Sequence, residues 1–226
     1  FSCMDKIICI SENTKKDLID RYKLSPELIE VVHLGVSFDK SYIEIDNKIP
    51  KKPYLLFVGE RYRYKNFKNF ILAYTKSNRL KKDFDILCFG GNSFTSEEIN
   101  FFKEFRISQN IKQINGSDLE LNYVYKKARC FIFPSLYEGF GLPLLEAMNM
   151  DCPVICSDTS CFSEVTNNAA AMFDPNNIEN IMHEIEDVVY DEQMFSDLII
   201  KGRNNIKNFS WQKCAEQTLK VYNSIL

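Results

Sequence analysis

The chain has no long apolar run: its longest stretches, Tyr54–Val58 among them, hold only about 4 to 6 residues. A helix needs roughly 20 apolar residues to cross a bilayer, so a membrane-spanning helix is excluded. Histidine is almost absent. The two that occur, His33 and His183, lie far apart on different patterns; the first reads as a strand end, the second as a helix-face residue, and neither as catalytic. Eight cysteines are present, yet no CxxC pair. Cys9, Cys88, Cys130 and Cys156 each sit inside apolar, strand-like runs. That points to burial as small hydrophobes rather than to zinc or disulfides, and to a reducing cytoplasm. Nor is one sign of charge in excess, with 28 Lys and Arg against 31 Asp and Glu and a net charge of -3. No nucleic-acid partner is expected, and any phosphate binding must be local. No internal repeat or low-complexity segment interrupts the 226 residues, 45% hydrophobic and 26% charged. They suffice for one large domain, or one domain plus a piece of another.

What is present is alternation. Short apolar runs read as strands at 6–10, 29–33, 54–58, 84–89, 111–114, 130–133, 153–156 and 169–173. Helical periodicity fills 12–22, 66–77, 96–105, 119–128 and 143–150, and the chain is helical from Ile178 onward, with Ser210 as N-cap of a last helix. Such alternation predicts βα units and an α/β fold with a doubly wound, mostly parallel, Rossmann-like sheet. Leu55–Val58 and Cys130–Phe133 are apolar at every position, as strands covered by helices on both faces must be. Ligands of such sheets bind beyond the carboxyl ends of the strands. Residues 35–53 lack helical periodicity and carry two prolines and several charges, which reads as an interdomain linker. The expected division is a strand-helix-strand remnant of an earlier domain at 1–34, the linker at 35–53, a Rossmann-like domain at 54–208 and a terminal helix at 209–226.

Two segments at strand ends carry candidate chemistry. "FPSLYEGFGLPLLEAM", residues 133–148, closes a strand and passes through Glu138, Gly139, Phe140 and Gly141 to Pro143, where a helix is expected to begin. Free N–H groups at that helix start, behind two glycines that allow close approach, suit a diphosphate or another polar ligand. Glu146 falls one turn into the helix and leans back toward its start, so its carboxylate can meet a ligand hydroxyl. Glu138, on the loop, can meet a second. A nucleotide-sugar has hydroxyls on both sides of a diphosphate and fits; the bland alternative is a Glu146 that only complements its helix dipole and a solvated Glu138. "FVGERYRYKNF", residues 57–67, follows a buried strand with Gly59 and three cations, Arg61, Arg63 and Lys65. Cations there can neutralise a leaving diphosphate, or can form a solvated loop. Each segment follows a different strand of the same sheet. Ile114 and Asn115 end a third strand on the ligand side, placed to contact a nucleotide base. Phe209 and Trp211 read as packing residues where the terminal helix returns to the sheet.

These residues resemble the retaining glycosyltransferases of family 4, which have the GT-B fold of two facing Rossmann-like domains. Glu138 and Glu146 match the family's E-x7-E pattern inside "PSLYEGFGLPLLEAM". The likeness continues through "CPVICSD", "SEV", "AAAMFDP" and "KGRNNIKNFSW", and upstream in "DKIICISENTKKDL" and "IEVVHLGV". The resemblance implies that Glu138 lies by the donor sugar and Glu146 by the ribose hydroxyls. By the same resemblance Gly139, Phe140, Gly141 and Leu142 line sugar and phosphates, and Arg61 with Lys65 stabilises the leaving diphosphate. The sequence departs from the pattern at Glu60, where arginine is common, so that the arginine's role falls to Arg61 or Arg63; at Ser163, where proline is usual; and in "MNMDCPVI", which lacks a common glycine.

The implied activity is transfer of a hexose from a GDP- or UDP-sugar to a saccharide or lipid-linked acceptor, with retained configuration, in surface-polysaccharide synthesis. No cofactor beyond the donor substrate and no metal are expected, as the resemblance implies. The expected partners are the nucleotide-sugar and an N-terminal acceptor domain outside residues 1–226, with peripheral association of the full enzyme at the inner membrane face. The competing readings are a nucleotide-sugar binding module without transfer activity and another GT-B enzyme such as an epimerase.

Overall fold

The structure, a computed structural model, describes residues 4–226. It opens with β1 (Ile7–Cys9), α1 (Glu12–Tyr22) and β2 (Ile29–Val31), whose strands pair in parallel. Ser11 caps α1 by accepting from the Thr14 N–H, and Lys23 ends the helix in a left-handed conformation. A segment without strand or α-helix then runs over the surface of a second, larger unit. It is tied there by the Ile43 N–H to the Leu119 carbonyl and by Asn122 to the Ser41 carbonyl.

The larger unit alternates as its sequence predicts: β3 (Tyr54–Val58), α2 (Phe67–Lys76), α3 (Asn78–Asp83), β4 (Asp85–Phe89), α4 (Ser96–Glu104), β5 (Ile111–Ile114), α5 (Asp118–Lys127) and β6 (Cys130–Phe133). It continues through α6 (Leu142–Asn149), β7 (Val154–Ser157), α7 (Phe162–Thr166) and β8 (Ala171–Phe173) into α8 (Ile178–Tyr190), α9 (Glu192–Asn205) and α10 (Trp211–Asn223). Six strands form one parallel sheet in the order β5-β4-β3-β6-β7-β8. The chain winds outward from β3 to β5, then returns to β6 beside β3 and winds the other way. Adjacent strands whose connections leave in opposite directions open a crevice at their carboxyl ends, the topological switch point. Here it lies between β3 and β6, paired through Leu55 with Cys130 and Leu56 with Phe131.

Both sheet faces are dry because successive side chains alternate. Leu56, Leu87, Phe131, Phe133 and Val154 enter the core beneath α5 and α6. Leu55, Phe57, Ile86, Cys130 and Ile132 enter the other, beneath α2 and α8. This is why the strand sequences are apolar throughout. The seven cysteines among the described residues are free, and all but Cys214 are buried; burial pushes the Cys88, Cys130, Cys152 and Cys156 thiols well up, as expected of small hydrophobes. Among the described residues no helix is long and apolar enough to cross a membrane.

Candidate active site

The switch-point crevice is where both sequence segments arrive. β3 ends at Val58 and is followed by Gly59, whose φ of +102° favours glycine, and the chain turns through a short 3-10 helix at Arg63–Lys65 into α2. The Leu136 N–H donates to the Tyr64 carbonyl at 2.7 Å, joining this turn to the loop that follows β6. Lys65 Nζ lies 2.7 Å from Glu138 Oε1, and each side chain is under a fifth exposed. The two motifs, 73 residues apart, therefore meet in one ion pair. Phe133 lies beneath the ammonium, 5.4 Å from ring centre to Nζ.

The loop closes into α6 at Gly141, the N-cap residue, with φ +96° and ψ +48°. The helix starts at Leu142, with Pro143 second, one residue earlier than expected. Gly139, Phe140, Gly141 and Leu142 thus lead to a helix start where Pro143 has no N–H and the Leu144 N–H bonds the Gly141 carbonyl at 3.0 Å, which leaves the Leu142 N–H for a ligand. Glu146 sits one turn on and is partly buried. The Tyr125 hydroxyl donates to its Oε2 at 3.3 Å. Burial nevertheless raises the Glu146 pKa; the Tyr125 bond opposes the rise and the charge of Asp118 adds to it. Beside it opens a cavity of about 360 Å³, lined among others by Ser37, Asp118, Leu142, Glu146, Asn149 and Trp211. Ile114 and the exposed Asn115 end β5 on this edge of the sheet.

Arg61 is not joined to Lys65 or Glu138: its Nε lies 2.9 Å from Glu98 Oε1, its Nη2 donates to the Asn92 carbonyl at 2.5 Å, and the guanidinium stacks over Phe94. Glu98 is the third residue of α4 and also closes a capping box with Thr95, so the nearest carboxylate to Arg61 belongs to the β4–α4 junction. Arg63 is exposed, with φ +48°. Trp211, expected to pack, is 51% exposed at the first position of α10, whereas Phe209 is buried. Trp211 instead borders the Glu146 cavity.

His33, read in the sequence as a strand end without a catalytic role, follows β2 and lies at a junction. Its Nε2 is 2.6 Å from Glu164 Oε1, and its ring lies between Phe140 and Phe209, 5.7 Å from each. The Glu164 carboxylate also accepts the Glu12 N–H at the start of α1, a favourable place for negative charge. Ser160, unremarked in the sequence, bonds the backbone of Glu138 in both directions. No sequence signal gave either residue its place, because His33 and Ser160 act through partners 131 and 22 residues away.

Comparison with known proteins bears on the family and the fold. A crystal structure of a glycosyltransferase from Rickettsia africae superposes with a TM-score of 0.85 at 20% identity, over 98% of this chain and 63% of that one. The O-antigen chain mannosyltransferase B of Escherichia coli is 40% identical over 105 residues, 46% of this chain and 28% of the relative. The O-antigen chain mannosyltransferase RfbU of Salmonella typhimurium is 25% identical over 209 residues, 91% of this chain and 56% of the relative. The chain thus spans only part of the length of either relative. Residues 39–205, well over half the chain, match the family described as glycosyl transferases group 1. With its doubly wound parallel sheet and the crevice assembled from both motifs, the chain belongs to the group 1 glycosyl transferases, of GT-B type.

Proposed function

We propose that this chain is the donor-binding half of a retaining hexosyltransferase that moves a sugar from a nucleotide-sugar to an acceptor in surface-polysaccharide synthesis. The observation that carries the reading is the Lys65–Glu138 pair at the switch point, 2.7 Å apart in front of the α6 N-terminus. In the free chain the two charges satisfy one another. A donor offers each a better partner: the diphosphate takes Lys65 and the Leu142 N–H at the start of α6, and a sugar hydroxyl donates to Glu138. As the glycosidic bond breaks, negative charge gathers on the diphosphate and positive charge on the sugar, so the same two groups gain most in the transition state. Glu146, one turn behind, accepts from the ribose hydroxyls. Arg61 or Arg63 supplies a second cation, Arg61 only after leaving Glu98. The acceptor side of the cleft, and with it transfer, is supplied by a preceding domain.

Mannose is the favoured sugar, because both relatives described above are named as mannosyltransferases, and GDP the favoured carrier. Calorimetric titration of the chain with GDP, UDP and ADP and with their sugars tests this. Binding of one nucleotide and its sugar, with GDP first, is expected. Uptake of none of them contradicts the reading. Turnover of a nucleotide-sugar by this chain alone contradicts the claim that half the cleft lies elsewhere.

A further inference from the structure

Between Phe133 and Leu142 the loop carrying Glu138 has no regular structure, and two of its residues are glycines. Such a segment left to itself samples many conformations, and a carboxylate on it is not aimed. Here its backbone is held from outside, group by group. The Thr159 hydroxyl donates to the Leu136 carbonyl at 3.1 Å. The Glu138 N–H donates to Ser160 Oγ at 3.2 Å, and the Ser160 hydroxyl donates back to the Glu138 carbonyl at 2.7 Å. Cys161 Sγ lies 3.4 Å from that same carbonyl oxygen and 3.2 Å from that of Phe140. Three consecutive residues at the entry to α7 thus answer four backbone groups of the loop.

Ser160 does this from a φ of +57°, a conformation that costs a non-glycine residue on the order of 1 kcal/mol or more. Glycine would remove the strain and with it the hydroxyl. A strained serine in a place suited to glycine directs attention to what its side chain does. Among the described residues, that hydroxyl alone bonds both the N–H and the carbonyl of Glu138. It makes no bond to α6, which carries Glu146 and the Leu142 N–H.

We infer that Ser160 is a positioning residue: it aims Glu138 at the donor sugar and so sets how much of the donor's affinity comes from the sugar rather than from the nucleotide. This rests on the donor-site reading above. Ser160→Gly and Ser160→Ala are measured beside the wild-type chain, by calorimetry with GDP against GDP-mannose and UDP against UDP-glucose, and by thermal denaturation. For the pair that binds, both variants keep the affinity for the bare nucleotide. The advantage of the nucleotide-sugar over the nucleotide falls about 3- to 10-fold, the weight of one or two hydrogen bonds. Ser160→Gly melts at or above the wild type, because it relieves the strained backbone. Exchange of the Glu138 amide is faster in both variants, with no ligand present.

An unchanged advantage in Ser160→Gly overturns the inference, as does a parallel loss for nucleotide and nucleotide-sugar. So does a wild-type chain that binds nucleotide and nucleotide-sugar equally. Each of these leaves the donor site standing. A wild-type chain that takes up no member of either pair removes the donor-site reading, and this inference with it.

Discussion

At the scale of single residues, the Lys65–Glu138 pair makes opposite demands on its two members. Lys65→Ala removes the charge that meets the diphosphate, and nucleoside diphosphate binding should weaken about 10- to 100-fold, as for loss of a charge-assisted hydrogen bond. Glu138→Gln removes the internal competitor for Lys65, so bare nucleotide binds as well or better while the sugar's contribution is lost. Calorimetry on the two variants checks this; equal weakening by both contradicts separate roles. Glu146 gives a pH signature. Its raised pKa leaves the carboxyl neutral at a pH where an ordinary glutamate, near 4.3, is already ionised. Nucleotide affinity should therefore fall, as pH is lowered, from above the usual glutamate range, and Glu146→Gln should flatten that slope. Stability responds with the opposite sign. A carboxyl whose folded pKa is raised favours the fold below the unfolded value and loses that contribution as pH rises through the folded one.

At the scale of elements, Gly141 joins the donor loop to α6. Its φ is +96°, and a Cβ there would stand 3.0 Å from Leu144 Cδ1. Gly141→Ala should cost about 1 to 3 kcal/mol of stability and weaken nucleotide binding with it, because the helix start is what shifts; denaturant titration and calorimetry on one preparation read both. The elements themselves were largely legible. β3 and β6 are apolar at every position because both faces of a parallel sheet are covered, and that shows in the sequence. α3 was not legible: at six residues it spans under two turns, and its start depends on Ser77, whose buried hydroxyl accepts the Leu80 N–H. α7 has only five residues and no period to find. In the site, Glu138 and Glu146 stood out because a motif spaces them. The Lys65–Glu138 contact depends on β3 pairing with β6, the Arg61–Glu98 contact on how the β4–α4 loop folds back, and Ser160 on a left-handed turn. Such long-range placements leave no local pattern.

At the scale of the molecule, the first unit and the six-stranded unit touch at several places. One is the Glu164 carboxylate, shared by His33 and the start of α1. Another is the Tyr137 hydroxyl, which donates to Asp17 of α1, and a further one is the crossing itself, where the Val36 N–H donates to the Phe209 carbonyl and Gly35 packs so closely that a Cβ would lie 2.1 Å from the Trp211 nitrogen. Gly35→Ala must push the crossing apart at a cost of about 1 to 3 kcal/mol or more. Hydrogen exchange should quicken in α1 and α10 while β3, β4 and β6 stay protected; quickening throughout would mean that the two units unfold together. The central claim is that the crevice between β3 and β6 receives a nucleotide-sugar. Backbone amide chemical shifts recorded while GDP-mannose is titrated into the chain test it most directly. The largest changes are expected at Lys65, Glu138, Gly139–Leu142 and Glu146, with smaller ones at Ile114 and Asn115. Saturable binding with its largest changes elsewhere, around α8 and α9 for instance, would contradict the account.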